Sequence, residues 1–218
     1  DRPDGRILHP AAHLGQLEEA VMWRLASLLM WMGTGLALAQ DYPALHAVTG
    51  VAADDVLNVR ERPDAASPIL GSLPPDATGI EVISVSDGWA LVNLEDGTGY
   101  ASLAFLARDA GPEWNTLERP LTCLGTEPFW SLAIDPDTAS MSFSTPEAPA
   151  LDLPVTVTWP GAPWARSAAL ALPDGLAVLS PADCSDGMSD RSYGIAADLF
   201  LNGPDRLRLS GCCQLVAP

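Results

Sequence analysis

The sequence predicts an all-β protein, built as a small, partly open barrel followed by a second, disulfide-linked β-barrel or sandwich domain. Three observations lead there. Apolar and polar residues alternate over short runs from Val56 onward, and Gly, Pro and Asp clusters break those runs at close intervals. No segment of the C-terminal half keeps a 3.6-residue apolar period, and all four cysteines fall in the last hundred residues.

Residues 1–21 begin without methionine, carry mixed charge and precede a good start at Met22, so they are expected to be an upstream region outside the native fold. Residues 22–39 read as a signal peptide. Met22-Trp23-Arg24 is the basic start, Leu25 to Leu36 the apolar run, and Ala37-Leu38-Ala39 the small-x-small cleavage pattern, leaving Gln40 first. The apolar run is about a dozen residues, whereas a bilayer core of ~30 Å needs about 20. No stable membrane insertion is expected, and without a cysteine at the cut no lipid anchor either. The expected location is the periplasm or the secreted fraction, after cleavage near Ala39.

The first domain is expected over 47–108. Val56 to Arg60 alternates as a half-buried strand should, and Arg62-Pro63-Asp64 turns the chain. Ile69 to Leu73 is a second strand, closed by Pro74-Pro75-Asp76. Ile80 to Val85 and Trp89 to Leu94 flank the turn Ser86-Asp87-Gly88, and Asp96-Gly97 leads into Thr98 to Ala101. Short strands at such intervals indicate a small barrel. Residues 109–120 read as a linker broken by Gly111-Pro112 and Arg119-Pro120, with Trp114 docking on one side or the other. In the second domain, 121–218, hairpins are expected around Asp135-Pro136-Asp137-Thr138, Pro173-Asp174-Gly175 and Asn202-Gly203-Pro204-Asp205. Val155 to Trp159 adds a β-branched strand.

Charge and side-chain inventory exclude several functions. The first 39 residues hold four acids and three arginines, so residues 40–218 carry 24 acids against eight arginines, a net of −16. Such a surface repels nucleic acid and anionic lipid. The chain contains no lysine, and His46 is the single histidine beyond the export segment, in the linker-like stretch before the first strand. Ser-His-Asp, Cys-His and Ser-Lys catalysis therefore lack their parts, and so does a zinc site. Paired carboxylates survive as chemistry, but acids are abundant here and carry little information. No enzymatic activity, cofactor or metal is expected. A calcium site from Asp183, Asp186 and Asp190 lacks the spacing of a calcium loop.

The cysteines, Cys123, Cys184, Cys212 and Cys213, read as two disulfides of an exported chain. If Leu207 to Cys213 is a strand, Cys212 and Cys213 point to opposite faces and take different partners. The favoured pairing is Cys184–Cys212 with Cys123–Cys213, and the exchanged pairing stays open.

The first domain resembles the bacterial SH3 (SH3b) family. The likeness rests on Leu57-Asn58-Val59-Arg60 with Pro63, Gly71-Ser72-Leu73, and Asp87-Gly88-Trp89-Ala90-Leu91-Val92. It continues through Asp96-Gly97-Thr98-Gly99-Tyr100-Ala101 to Phe105-Leu106. The resemblance implies a partly open barrel of five to seven strands that contacts a cell-wall peptide or an envelope protein. Trp89 and Tyr100 stand where that family carries aromatics and are candidates for lining a peptide groove; the competing role is filling the barrel's core or rim. Asn58 and Arg60 are expected to hold the first turn together. The second domain resembles an exported bacterial family of unassigned function, through Gly125-Thr126-Glu127-Pro128-Phe129-Trp130, Cys184-Ser185-Asp186-Gly187-Met188-Ser189-Asp190 and the terminal Gly211-Cys212.

Glu127, Trp130 and the Asp186 loop are candidates for one pocket that takes a wall fragment. The competing reading buries Phe129 or Trp130 and lets Glu127 accept from the loop backbone or pair with Arg191. It also gives Asp190 and Ser189 the task of capping the turn. The leading function is a non-catalytic periplasmic binding or adaptor module. The alternative is an inhibitor plugging the basic cleft of a cell-wall enzyme such as lysozyme, and a carboxylate-dependent wall hydrolase ranks third.

Overall fold

The computed structural model describes residues 42–95, 97–162, 164–203 and 206–217. The upstream region and signal peptide expected over 1–39 lie outside the described residues, as do Asp96, Pro204 and Asp205 of the expected turns. Among the described residues no helix is long and apolar enough to cross a membrane.

The first sheet has seven strands: β1 (Ala44–Val48), β2 (Leu57–Arg60), β3 (Ile69–Leu73), β4 (Ile80–Ser86), β5 (Trp89–Leu94), β6 (Gly97–Ser102) and β7 (Leu106–Arg108). Their order is β3-β2-β6-β5-β4-β1-β7. Alternation decides which side chains turn inward. Leu57 and Val59 of β2, Ala90 and Val92 of β5 and Ala101 of β6 are buried with Val48, Val82 and Leu106 in one cluster. Asp87 and Gly88 both adopt positive φ between β4 and β5, as a tight hairpin whose twist matches its strands requires. Arg60 holds the β2–β3 connection, as expected: its Nη1 donates to the Ser67 carbonyl at 2.7 Å, and the Ser67 hydroxyl accepts from the Arg62 amide.

The second sheet has nine strands: β8 (Leu121–Thr126), β9 (Phe129–Asp135), β10 (Ser140–Thr145), β11 (Ala148–Pro154), β12 (Val157–Trp159), β13 (Ala168–Leu172), β14 (Gly175–Cys184), β15 (Tyr193–Leu201) and β16 (Leu207–Leu215). The order β11-β10-β9-β8-β16-β15-β14-β13-β12 places two sequence neighbours, β11 and β12, at opposite edges. Laid flat, nine strands would separate those edges by eight steps of ~4.8 Å, roughly 38 Å. Pro154 and Val157 are three residues apart and reach at most about 11 Å. The sheet must therefore curl back on itself, and its inner face becomes the core. Trp130, Leu132 and Ile134 of β9 alternate with exposed neighbours into this core, where they meet Leu170, Leu179, Ile195 and Leu199.

Both disulfides have the favoured pairing, Cys123–Cys213 and Cys184–Cys212. Cys123 and Cys213 face each other in register across β8 and β16, and Cys184 ends β14 against β15. The two bridges tie the three segments that carry cysteine, and they fit an extracytoplasmic protein.

Within residues 109–120, Trp114, in a short 3-10 turn, docks on the second sheet: it and Leu117 are buried in that core, and the Asn115 carbonyl accepts from the Gly161 amide. One expectation is corrected. His46 does not sit in a loop before the first strand but inside β1, 1% exposed, with its Nδ1 3.0 Å from the Ala44 carbonyl. β1 pairs with β4 and β7, yet its Leu45 packs into the core of the second sheet.

That shared strand starts a continuous seam. Asn93 exchanges two hydrogen bonds with the Ser192 backbone, donating at 2.9 Å and accepting at 3.1 Å, and the Thr98 hydroxyl donates to the Asp190 carbonyl. Glu81 Oε1 accepts from the Leu215 amide at 2.8 Å. Desolvation pushes the Glu81 carboxyl up to about 7, against the opposing effects of the Leu215 N–H and the Arg191 charge.

Candidate functional site

Two concave surfaces hold three of the five side chains singled out from the sequence, Trp89, Glu127 and Asp186. One lies on the outer face of the first sheet and measures about 560 Å³. Trp89 opens β5 with its indole on the face opposite Ala90, which is buried, so the ring stands at the edge of this groove. Val56 and Phe105, 42% and 40% exposed, supply further apolar wall, and Asn58 and Asp55 supply polar groups. The groove is held by backbone bonds, from the Thr49 amide to the Phe105 carbonyl and from the Leu103 amide to the Gly88 carbonyl. Tyr100 is half-buried on the outer face of β6, in register with Arg60 and Leu91, and lies beyond the groove lining. Neither aromatic plugs the core.

The other surface is a depression of about 800 Å³ on the outer face of β8, β16 and β15. Its floor is Gly125, Gly211 and the Cys184–Cys212 bridge, and the 185–188 loop forms one wall. Glu127 and Asp186 both line it, as the sequence suggested. Trp130 does not. Its ring is 4% exposed and lies on the inner side of the same floor. A Cβ added to Gly211 would stand 2.7 Å from the Trp130 ring and 2.1 Å from the Leu124 carbonyl, so the strands approach the indole as only glycine permits. Trp130 is core, and Phe129, half exposed, is the member of the pair that faces outward.

The loop is anchored differently from the expectation. Thr126, rather than Glu127, bonds it, the hydroxyl donating to the Asp186 carbonyl at 2.8 Å. Asp186, rather than Asp190, caps the turn. Its Oδ1 accepts from the Met188 and Ser189 amides, and its Oδ2 accepts from the Ser189 hydroxyl and from Tyr193. Burial draws the Asp186 carboxyl upward, but these bonds outweigh it and hold the carboxyl below its ordinary range. Arg191 donates to the Gln214 side chain at 3.1 Å. On the far wall Asp198 accepts from Ser210 and Arg208, and those two groups keep its carboxyl low.

His46 lines neither surface. His46 is buried in β1, and desolvation, helped by the positive charge of Arg108, holds its imidazole below the ordinary value. Among the described residues no three His, Cys, Asp or Glu side chains converge as ligands of a metal ion.

Residues 55–107 match the family of bacterial SH3 domains. The matched stretch takes in β2 through β6 and reaches into β7, so the first sheet carries a bacterial SH3 domain, and the Trp89 groove lies on it. β1 falls before the match and the second sheet after it. Neither a curated protein nor a solved structure matches the chain.

Proposed function

We propose that this protein is a non-catalytic binding module of the cell envelope, whose SH3 domain holds a cell-wall peptide in the groove beside Trp89. One observation carries the reading: a bacterial SH3 domain presents a groove edged by the half-buried Trp89, with exposed Phe105 and Val56 as apolar wall and a few polar groups. An extended peptide is recognised in that way, by apolar anchors in small pockets and backbone hydrogen bonds around them. The two disulfides support work in an oxidising compartment, periplasmic or secreted. The buried His46 and the absence of lysine from the sequence support contact rather than chemistry.

Sedimentation with purified sacculi tests this. The protein is expected to pellet with sacculi in moderate salt and Trp89→Ala to stay in the supernatant, since an interface aromatic of this kind carries about 2 kcal/mol or more. Equal pelleting of the two proteins would remove the groove from the account. Failure to pellet, together with tight, steeply salt-sensitive binding to a cationic lysozyme, would favour an inhibitor instead.

A further inference from the structure

The depression on the second sheet plays no part in the reading above, yet it has the features of a site in its own right. Its floor and one wall are held in place. The Cys184–Cys212 bridge and two glycines form the floor, and Asp186, with the Thr126 hydroxyl, fixes the loop above it. Two apolar side chains on its rim remain in solvent, Phe129 at 51% and Met188 at 69% exposure. Scattered exposed apolar residues are ordinary, but these two stand on the rim of one concavity and give it an apolar wall.

The charges in the depression differ in whether they are already engaged. Asp186 is occupied by four donors and Asp198 by Ser210 and Arg208, which also commits the arginine. Glu127 stands exposed at the β8–β9 turn, and among the described residues no hydrogen bond or ion pair engages its carboxylate. The depression thus offers apolar walls and one uncommitted negative charge, on a chain whose residues 40–218 carry a net of −16.

We propose that this depression binds a peptide side chain bearing an ammonium group on an apolar stem, of which lysine is the simplest. The stem lies against Phe129 and Met188 and the ammonium pairs with Glu127. A side chain of this type buries its methylenes while keeping its charged end toward water, so it matches a wall of apolar groups with a carboxylate at the open edge. The 218 residues contain no lysine, so the proposed occupant is a side chain of a partner.

The test uses the full chain with both bridges formed, titrated with acetyl-Ala-Lys-Ala-amide and with its Nε-acetylated counterpart, and followed by NMR. Saturable binding that shifts the amide resonances of Phe129 and Met188 is expected for the free amine, with at least tenfold weaker binding after acetylation. Glu127→Gln is expected to weaken binding at least tenfold with unchanged near-ultraviolet circular dichroism, because Glu127 makes no bond that the fold needs. Glu147→Gln, an exposed carboxylate in the β10–β11 turn, and Trp89→Ala in the other groove are expected to leave it unchanged. Equal affinity for the two peptides, an unaffected Glu127→Gln protein, loss of binding in Trp89→Ala, or no saturable binding at all would each overturn the proposal.

Discussion

Replacing Glu81 by glutamine is expected to make the protein more stable at pH 8 and to leave it unchanged at pH 4.5. Glu81 sits at the seam between the sheets, with Oε1 accepting from the Leu215 amide, and its carboxyl titrates near 7 instead of 4.5. The folded protein therefore holds this proton more tightly than the unfolded chain does. The stability from that preference is complete below pH ~4.5 and is lost as pH rises through about 7. A rise from 4.5 to about 7 corresponds to roughly 3 kcal/mol of preference for the protonated form. The side chain is only partly enclosed, and solvent screening reduces this to about 1–2 kcal/mol. Glutamine keeps the acceptor for Leu215 and carries no charge to desolvate, so it mimics the protonated form at every pH. Urea unfolding followed by tryptophan fluorescence should place the variant's midpoint about 0.5–1 M above wild type at pH 8, for a slope of roughly 2 kcal/mol per molar. The two curves should coincide at pH 4.5. Asp186 and Asp198, whose carboxyls are held low, cost both proteins stability equally as pH falls and cancel in the comparison. A difference that does not vary with pH, or a variant weaker than wild type at pH 8, would refute the reasoning.

Other perturbations follow from the same structure. Trp114→Ala empties a site that is 1% exposed in the second core and should cost about 3–5 kcal/mol, seen as a fall in denaturation midpoint. Gly211→Ala would drive a methyl against the Leu124 carbonyl and the Trp130 ring, with an expected loss of about 1–3 kcal/mol or more; a midpoint equal to wild type would show that the floor can yield. Serine pairs replacing each bridge should differ in cost. The chain-entropy model gives about 3.6 kcal/mol for Cys184–Cys212, 28 residues apart, and about 4.6 kcal/mol for Cys123–Cys213, 90 apart. Asn93→Ala leaves both backbone groups of Ser192 without their partner at the seam, and a loss of about 1–3 kcal/mol is expected in the same assay.

How far the sequence reveals this molecule depends on which forces set each element. Strands with one face buried were legible because alternation records burial directly, as in β2, β5, β9 and β15. β1 has no such pattern. Ala44, Leu45, His46 and Val48 are all buried, because the strand lies between β4 and β7 while packing on both cores. Alternation cannot mark a strand enclosed on both faces. β11, Ala-Pro-Ala-Leu-Asp-Leu-Pro, has poor strand propensity and forms as an exposed edge because β10 offers it a partner. Between 109 and 120 the prolines and glycine truthfully signal irregular backbone, but irregular is not the same as exposed. Burial of Trp114 and Leu117 is decided by the distant strands that surround them.

The candidate surfaces divide in the same way. Local motifs placed Glu127 and Asp186 in short, distinctive runs, and the structure brings both to one depression. Its floor depends on β8 pairing with β16, ninety residues away along the chain, and on Trp130 lying behind two glycines. No local pattern carries that information. The burial of Trp130 behind Gly125 and Gly211 explains why a tryptophan beside an exposed Glu-Pro turn belongs to the core rather than the ligand.

The proposal of contact without chemistry is tested by muropeptide release from purified sacculi that have bound the pure protein. The protein is expected to be recovered on the sacculi while soluble fragments stay at the level of buffer alone. Fragments released above that level, and abolished by neutralising a single carboxylate, would contradict it.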